Sequence, residues 1–180
     1  MRKTVISAVA TAALFMMGMS GTALASSAHR PAMSSGPVHF SSSKFLLCPG
    51  DQSPPGQICI QSNGAGNQLT INNPGGALFT TTAVGSYYTL KNAAGNCVYE
   101  STSHRIILRP GGCTNVDTQE WTVTNHTTGA HEGYYFRNRK WGNYMVTDGV
   151  VDGFKVWGAS QTGRYYAWNT CNPSGTECFF

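Results

Sequence analysis

Charge is scarce in this chain, which has 180 residues and only 11% Asp, Glu, Lys and Arg. Eight acidic residues stand against twelve Lys and Arg, a formal balance of +4. Two of those basic residues, Arg2 and Lys3, sit at the extreme N-terminus. A chain so near neutrality lacks the clustered basic surface that nucleic acid or anionic membrane selects for. Long apolar runs are missing beyond the first two dozen residues, so no later segment reaches the ~20 residues of a membrane span. No apolar stripe at helical spacing appears after Lys44, which argues against a helical domain. There is no Cys-x-x-Cys pair, and no Cys has a His at ligand spacing beside it, which counts against a zinc site. Neither Gly-x-Ser-x-Gly nor His-Glu-x-x-His occurs. His126 and His131 flank a Thr/Gly-rich stretch followed by Glu132, with no third ligand evident. These absences predict a non-enzymatic protein without metal or cofactor.

The N-terminus predicts export. Arg2 and Lys3 precede an apolar run from Val5 to about Met19, and Ala23-Leu24-Ala25 offers the small-x-small pattern of a signal-peptidase site. Cleavage there takes two basic residues and leaves a formal charge of +2. Residues 1–25 are expected to be a signal peptide and 26–43 a Ser/Pro/Gly-containing flexible leader. Residues 44–180 then form the domain, secreted and extracellular, with no membrane span after cleavage.

All six cysteines lie in the expected mature part. An even number in an oxidising compartment reads as a disulfide framework. Their order along the chain favours three local pairs, Cys48–Cys59, Cys97–Cys113 and Cys171–Cys178. Short runs rich in Val, Ile, Thr, Tyr and Phe alternate with Gly, Asn and Pro clusters, which predicts an all-β domain of many short strands.

A repeat near 45 residues organises those strands. Gly-Asn before an apolar run recurs at Gly66-Asn67, Gly95-Asn96 and Gly142-Asn143. An aromatic followed by Thr or Asn closes each unit, at Tyr88, Trp121 and Trp168. The second and third units keep the same spacing, since 142 − 95 and 168 − 121 both equal 47, and the first is shorter. A unit of about four strands cannot bury its apolar face alone. Three units closing on a common core can, with the closing aromatics turned inward.

Unit two carries a more specific pattern. Cys97, then Cys113, then Gln119-x-Trp121 resembles the repeat of the ricin-type β-trefoil lectins, and Tyr135 through Tyr144 is similar to the opening of such a repeat. The resemblance spans roughly Lys44 to Phe180 and is strongest in units two and three. It implies a β-trefoil of three pseudo-symmetric repeats, with Tyr88, Gln119, Trp121 and Trp168 in structural roles. It also implies carbohydrate recognition through an acid, a stacking aromatic and an Asn. In unit two the matching positions are Tyr99, Gly111 and Thr118, and in unit one Thr70, Phe79 and about Gly85, where only an aromatic is kept. Unit three keeps more. Trp157 stands near the stacking position, Val146 and Tyr165 replace the acid and the Asn, and Asp148 and Asp152 offer carboxylates from the following turn. Asp148, Asp152, Trp157 and Tyr165 are therefore the candidate carbohydrate site, although Asp-Gly is a turn signal in its own right. The basic run Arg137-Asn138-Arg139-Lys140 is expected on a solvated strand face or turn.

A glycan is thus one expected partner. An extracellular protein is the other, as for a protease inhibitor or accessory subunit, because the Cys171–Cys178 segment ends in Phe179-Phe180, and exposed aromatics make interface anchors.

Overall fold

The structure, a computed structural model, describes residues 43–50, 58–73, 76–126, 132–160 and 165–179. The expected signal peptide, the leader up to residue 42, His131 and Phe180 lie outside these. Among the described residues the only helical piece is a 3-10 turn, Asp117–Gln119, and the rest is strand and turn.

The strands are β1 (Phe45–Pro49), β2 (Cys59–Gln61), β3 (Thr70–Asn72), β4 (Leu78–Val84), β5 (Tyr87–Asn92), β6 (Cys97–Glu100) and β7 (Ile106–Arg109). They continue as β8 (Trp121–His126), β9 (Gly133–Asn138), β10 (Tyr144–Thr147), β11 (Val156–Ala159), β12 (Trp168–Cys171) and β13 (Cys178–Phe179). Antiparallel pairing runs from β1 to β4, β5, β8, β9 and β12 in turn, and β12 returns to β1. A circuit of this kind leaves none of its strands as an open edge, which removes a template for aggregation. Alternation sets which side chains enter it. In β8, Trp121 and Val123 are buried while Thr122 and Thr124 are exposed.

Six of the remaining strands form three hairpins, β2–β3, β6–β7 and β10–β11, and β13 pairs with β12. Single bridges tie each hairpin to the other two, Gln68 to Ile107, Thr70 to Lys155 and Arg105 to Trp157. Leu69, Ile106 and Val156 are fully buried where the hairpins meet, and they join Phe79, Trp121, Phe136, Met145 and Trp168 in one apolar cluster. The Trp168 Nε1–H donates to the Met145 carbonyl at 2.8 Å, so its ring is fixed by a bond as well as by packing. Burying a large aromatic at such a position contributes about 3–5 kcal/mol against Ala.

The two Trp of the repeat behave alike, both fully buried at the first position of their strands. Unit one differs from the expected pattern. Its fully buried aromatic is Phe79 of β4, whereas Tyr88 packs on the core from a half-buried place in β5, opposite Trp121. Gly95 and Gly142 stand just before β6 and β10 with φ of +83° and +69°, the left-handed region that favours glycine. Gly66 also has positive φ, but it sits in the β2–β3 connection, one hairpin strand later than its expected counterparts. The motif marks the same turn chemistry at a different point of the unit.

Three disulfides, Cys48–Cys59, Cys97–Cys113 and Cys171–Cys178, tie β1 to β2, β6 to the segment before the 3-10 turn, and β12 to β13. Beside Cys113, the buried Gln119 carboxamide accepts from the Thr114 N–H at 2.7 Å. The Gln of Gln-x-Trp therefore holds the turn that delivers Trp121 to the core.

Candidate functional site

The third hairpin holds most of the residues expected to bind sugar. β10 and β11 pair with Val146 opposite Trp157 and Thr147 opposite Val156. Trp157 is half-buried and meets Arg105 of the second hairpin on its other side. Tyr165 pairs with Thr147 through two backbone bonds of 2.9 and 3.0 Å. Directly opposed residues share a face and successive ones alternate, so Trp157 and Tyr165 occupy positions on opposite faces. Asp148 is exposed just beyond β10, and Asp152 is exposed in the turn that closes the hairpin, beside Gly153 at φ +84°. The fold thus gathers Asp148, Asp152 and Trp157 on one hairpin and separates Tyr165 from Trp157 by the strand between them. Phe79, the aromatic kept in unit one, is buried to 0% exposure and offers no ring face to a ligand.

A second arrangement lies at the seam between the second and third hairpins. Glu100 ends β6 in a fully buried position. Its Oε1 accepts from Asn143 Nδ2 at 2.7 Å and lies 2.8 Å from His104 Nδ1, which Asn143 Nδ2 also approaches to 3.1 Å. Oε2 has no hydrogen-bond partner among the described residues. The carboxyl rests on Gly158 of β11, where a Cβ would come within 2.2 Å of it. Burial pushes the Glu100 carboxyl up from its ordinary value, and the bonds from Asn143 and His104 pull the other way without cancelling it.

The rest of the seam is built around that carboxyl. His104 has φ +58°, and its carbonyl accepts from the Gly158 N–H at 2.6 Å. Trp141, in the β9–β10 turn, meets the His104 ring edge-on at 5.4 Å and is 37% exposed. The Lys140 ammonium lies 5.5 Å from the Trp141 ring centre. Asn138, buried in β9, fastens this turn. Its carbonyl oxygen accepts from the Lys140 and Trp141 N–H groups, and its amide donates to the Thr118 carbonyl. On the other side of Lys140, against the 3-10 turn, is an open depression of about 510 Å³ lined by Asn115, Val116, Asp117, Thr118 and Lys140.

The basic run is largely engaged within the fold. Arg137 Nε donates to the Gly142 carbonyl, and Arg139 pairs with Glu120 and Asp117 while lying over the Tyr87 ring. His126 is exposed and stacks on Tyr135. Among the described residues no cluster of three His, Cys, Asp or Glu has a geometry that could hold a metal. Glu100 and His104 belong to no motif of the sequence, and Asn143 stands in it only as part of a Gly-Asn turn. The available signal was alternation in β6, which puts Glu100 on the inward face of Val98.

No family model and no curated protein matches this chain. Solved structures do. A mosquitocidal holotoxin aligns over 74% of this chain and 18% of its own, with a TM-score of 0.60 and 11% identity. A Culex salivary protein of the cysteine- and tryptophan-rich family aligns over 74% and 96%, with a TM-score of 0.56 and 15% identity. A Polyporus squamosus lectin, solved with a sialylated glycan epitope, aligns over 74% and 50%, with a TM-score of 0.55 and 12% identity. The toxin and the lectin are ricin B-like β-trefoil folds. This chain spans under a fifth of the toxin and half of the lectin. At such identities the likeness concerns the fold alone.

Proposed function

We propose that this chain is a secreted, non-catalytic, diverged ricin B-like β-trefoil that binds carbohydrate. The closed strand circuit with three mutually bridged hairpins carries the trefoil reading, and a lectin among the structural neighbours supports the ligand class. The disulfides and the signal-like N-terminus suit an extracellular life. The third repeat provides the binding site for neutral hexose glycans, with Trp157 as stacking surface and Asp148 and Asp152 as hydroxyl acceptors, while Tyr165 lies on the other face. A carboxylate accepts strongly from sugar hydroxyls, and an aromatic face covers the apolar side of the ring. A glycan array on residues 26–180 is expected to show neutral hexose binding that Trp157→Ala abolishes while the thermal midpoint changes little. Neutral-glycan binding retained in that variant overturns the site.

One observation favours a second reading, a protein-binding trefoil acting as an inhibitor or accessory subunit. Phe179 is 59% exposed beside the Cys171–Cys178 bridge. Inhibition in a protease panel that vanishes on deleting Phe179-Phe180 identifies this function instead.

A further inference from the structure

The seam between the second and third hairpins combines features that a structural clasp does not need. A clasp is complete once Glu100 has bonded to His104 and Asn143. Here the same bonds leave other groups at the surface. With Nδ1 held by Glu100, the remaining His104 ring nitrogen has no partner among the described residues, and the side chain is 46% exposed. With its side-chain nitrogen on Glu100, the Asn143 Oδ1 is left as an acceptor, while its backbone carbonyl is taken by the Asn138 N–H. Trp141 borders the His104 ring, partly exposed and held by its turn. A hydroxyl-bonding pair of fixed orientation beside an aromatic ring suits a sugar, whose hydroxyls need directed partners and whose C–H face needs an apolar one.

The charge around Trp141 narrows the ligand. Each neighbouring acid is already committed: Glu100 is buried beneath His104 and Asn143, and Asp117 and Glu120 face Arg139. The Lys140 ammonium meets no carboxylate among the described residues and rests over the indole, on the rim of the depression formed by Asn115, Asp117 and Thr118. A cation so placed is free to turn towards an incoming anion.

We propose that this seam is a second saccharide site, selective for a carboxylated sugar, in which Trp141 stacks the ring, His104 and Asn143 bond its hydroxyls, and Lys140 pairs with its carboxylate. Glu100 is a positioning residue that orients His104 and Asn143. The site extends the glycan-binding reading above but uses none of the third-repeat residues assigned there.

The test titrates the folded domain with a sialic-acid-terminated oligosaccharide and its carboxyl-reduced counterpart, following heat release and indole fluorescence. The wild type is expected to prefer the acid about two- to fivefold, the scale of one exposed ion pair. Trp141→Ala is expected to weaken both ligands about tenfold, and Lys140→Gln to remove only the preference for the acid. Both positions are exposed, so thermal midpoints near the wild-type value verify folding. Equal affinity for acid and reduced sugar, no acid binding by the wild type, or acid binding untouched by Trp141→Ala each overturns the seam site. Neutral-glycan binding sensitive to Trp157→Ala would still uphold the third-repeat site, so the two proposals fail separately.

Discussion

The third hairpin and the seam beside it draw on similar side chains, carboxylates beside a tryptophan, but hold them in opposite ways. In the hairpin, Asp148 and Asp152 are exposed at or near a turn, next to glycines that the turn itself favours. In the seam, Glu100 is buried and rests on the backbone of another hairpin. The first arrangement puts its acids on the surface of a turn that the Gly153 and Phe154 backbone ties to Ile71, so the side chains can change while those bonds stay. The second spans two hairpins, so a change there is felt by both. An acid that costs burial to keep is a stronger pointer to a built site than an acid in a turn.

The sharpest break of this contrast pairs two glycines. Gly158→Ala places a methyl against the Glu100 carboxyl, with the backbone held by pairing to Met145 and by the bond to His104. Chemical denaturation is expected to show a loss of about 3 kcal/mol or more, since overpacking and a displaced buried carboxylate act together. Gly149→Ala first meets the ring of Phe154, which is 40% exposed and can give way. Its loss is expected to stay below about 1 kcal/mol. Equal losses would erase the distinction between the two regions.

A smaller effect comes from pH. Because burial raises the Glu100 carboxyl, the folded protein holds that proton more tightly than the unfolded chain does. The stability this provides is complete below the ordinary carboxylate range and is lost as pH rises through the folded value. His104 and Asn143 face the same carboxyl, and their bonds lessen the shift without reversing it. Thermal midpoints measured upward from pH 4 are therefore expected to carry a downward contribution that Glu100→Gln removes. An unchanged pH profile in the variant would count against a perturbed Glu100. The smallest effect is expected from Asp152→Asn, within about 0.5 kcal/mol, because Asn also suits a turn before Gly. A larger drop in thermal midpoint would show that the Asp152 side chain supports the backbone bonds of Gly153 and Phe154 with Ile71.

The sequence displayed different amounts of each region. Trp121 and Trp168 share their spacing and their burial, because large aromatics at equivalent strand starts have one apolar place to go. Tyr88 and Gly66 show where spacing misleads. A Gly-Asn turn and an aromatic-Thr pair satisfy local geometry wherever they occur, and only strand pairing assigns Phe79 rather than Tyr88 to the buried position of unit one. At the third hairpin, the Asp-Gly turn and the β11 strand could be read directly. At the seam, the bond from Glu100 to His104 spans four residues, within reach of a local reading, but Asn143 is 43 residues away.

By itself, the sequence determined the all-β character, the local order of the cysteines and the inward place of the two tryptophans, because alternation, oxidation and apolar burial act over short stretches of chain. The tertiary structure alone decided that Gly158 of β11 would back Glu100 of β6 and that Asn143 would complete its bonds. A buried carboxyl finds its partners through the packing of separate hairpins, and no local spacing encodes that meeting.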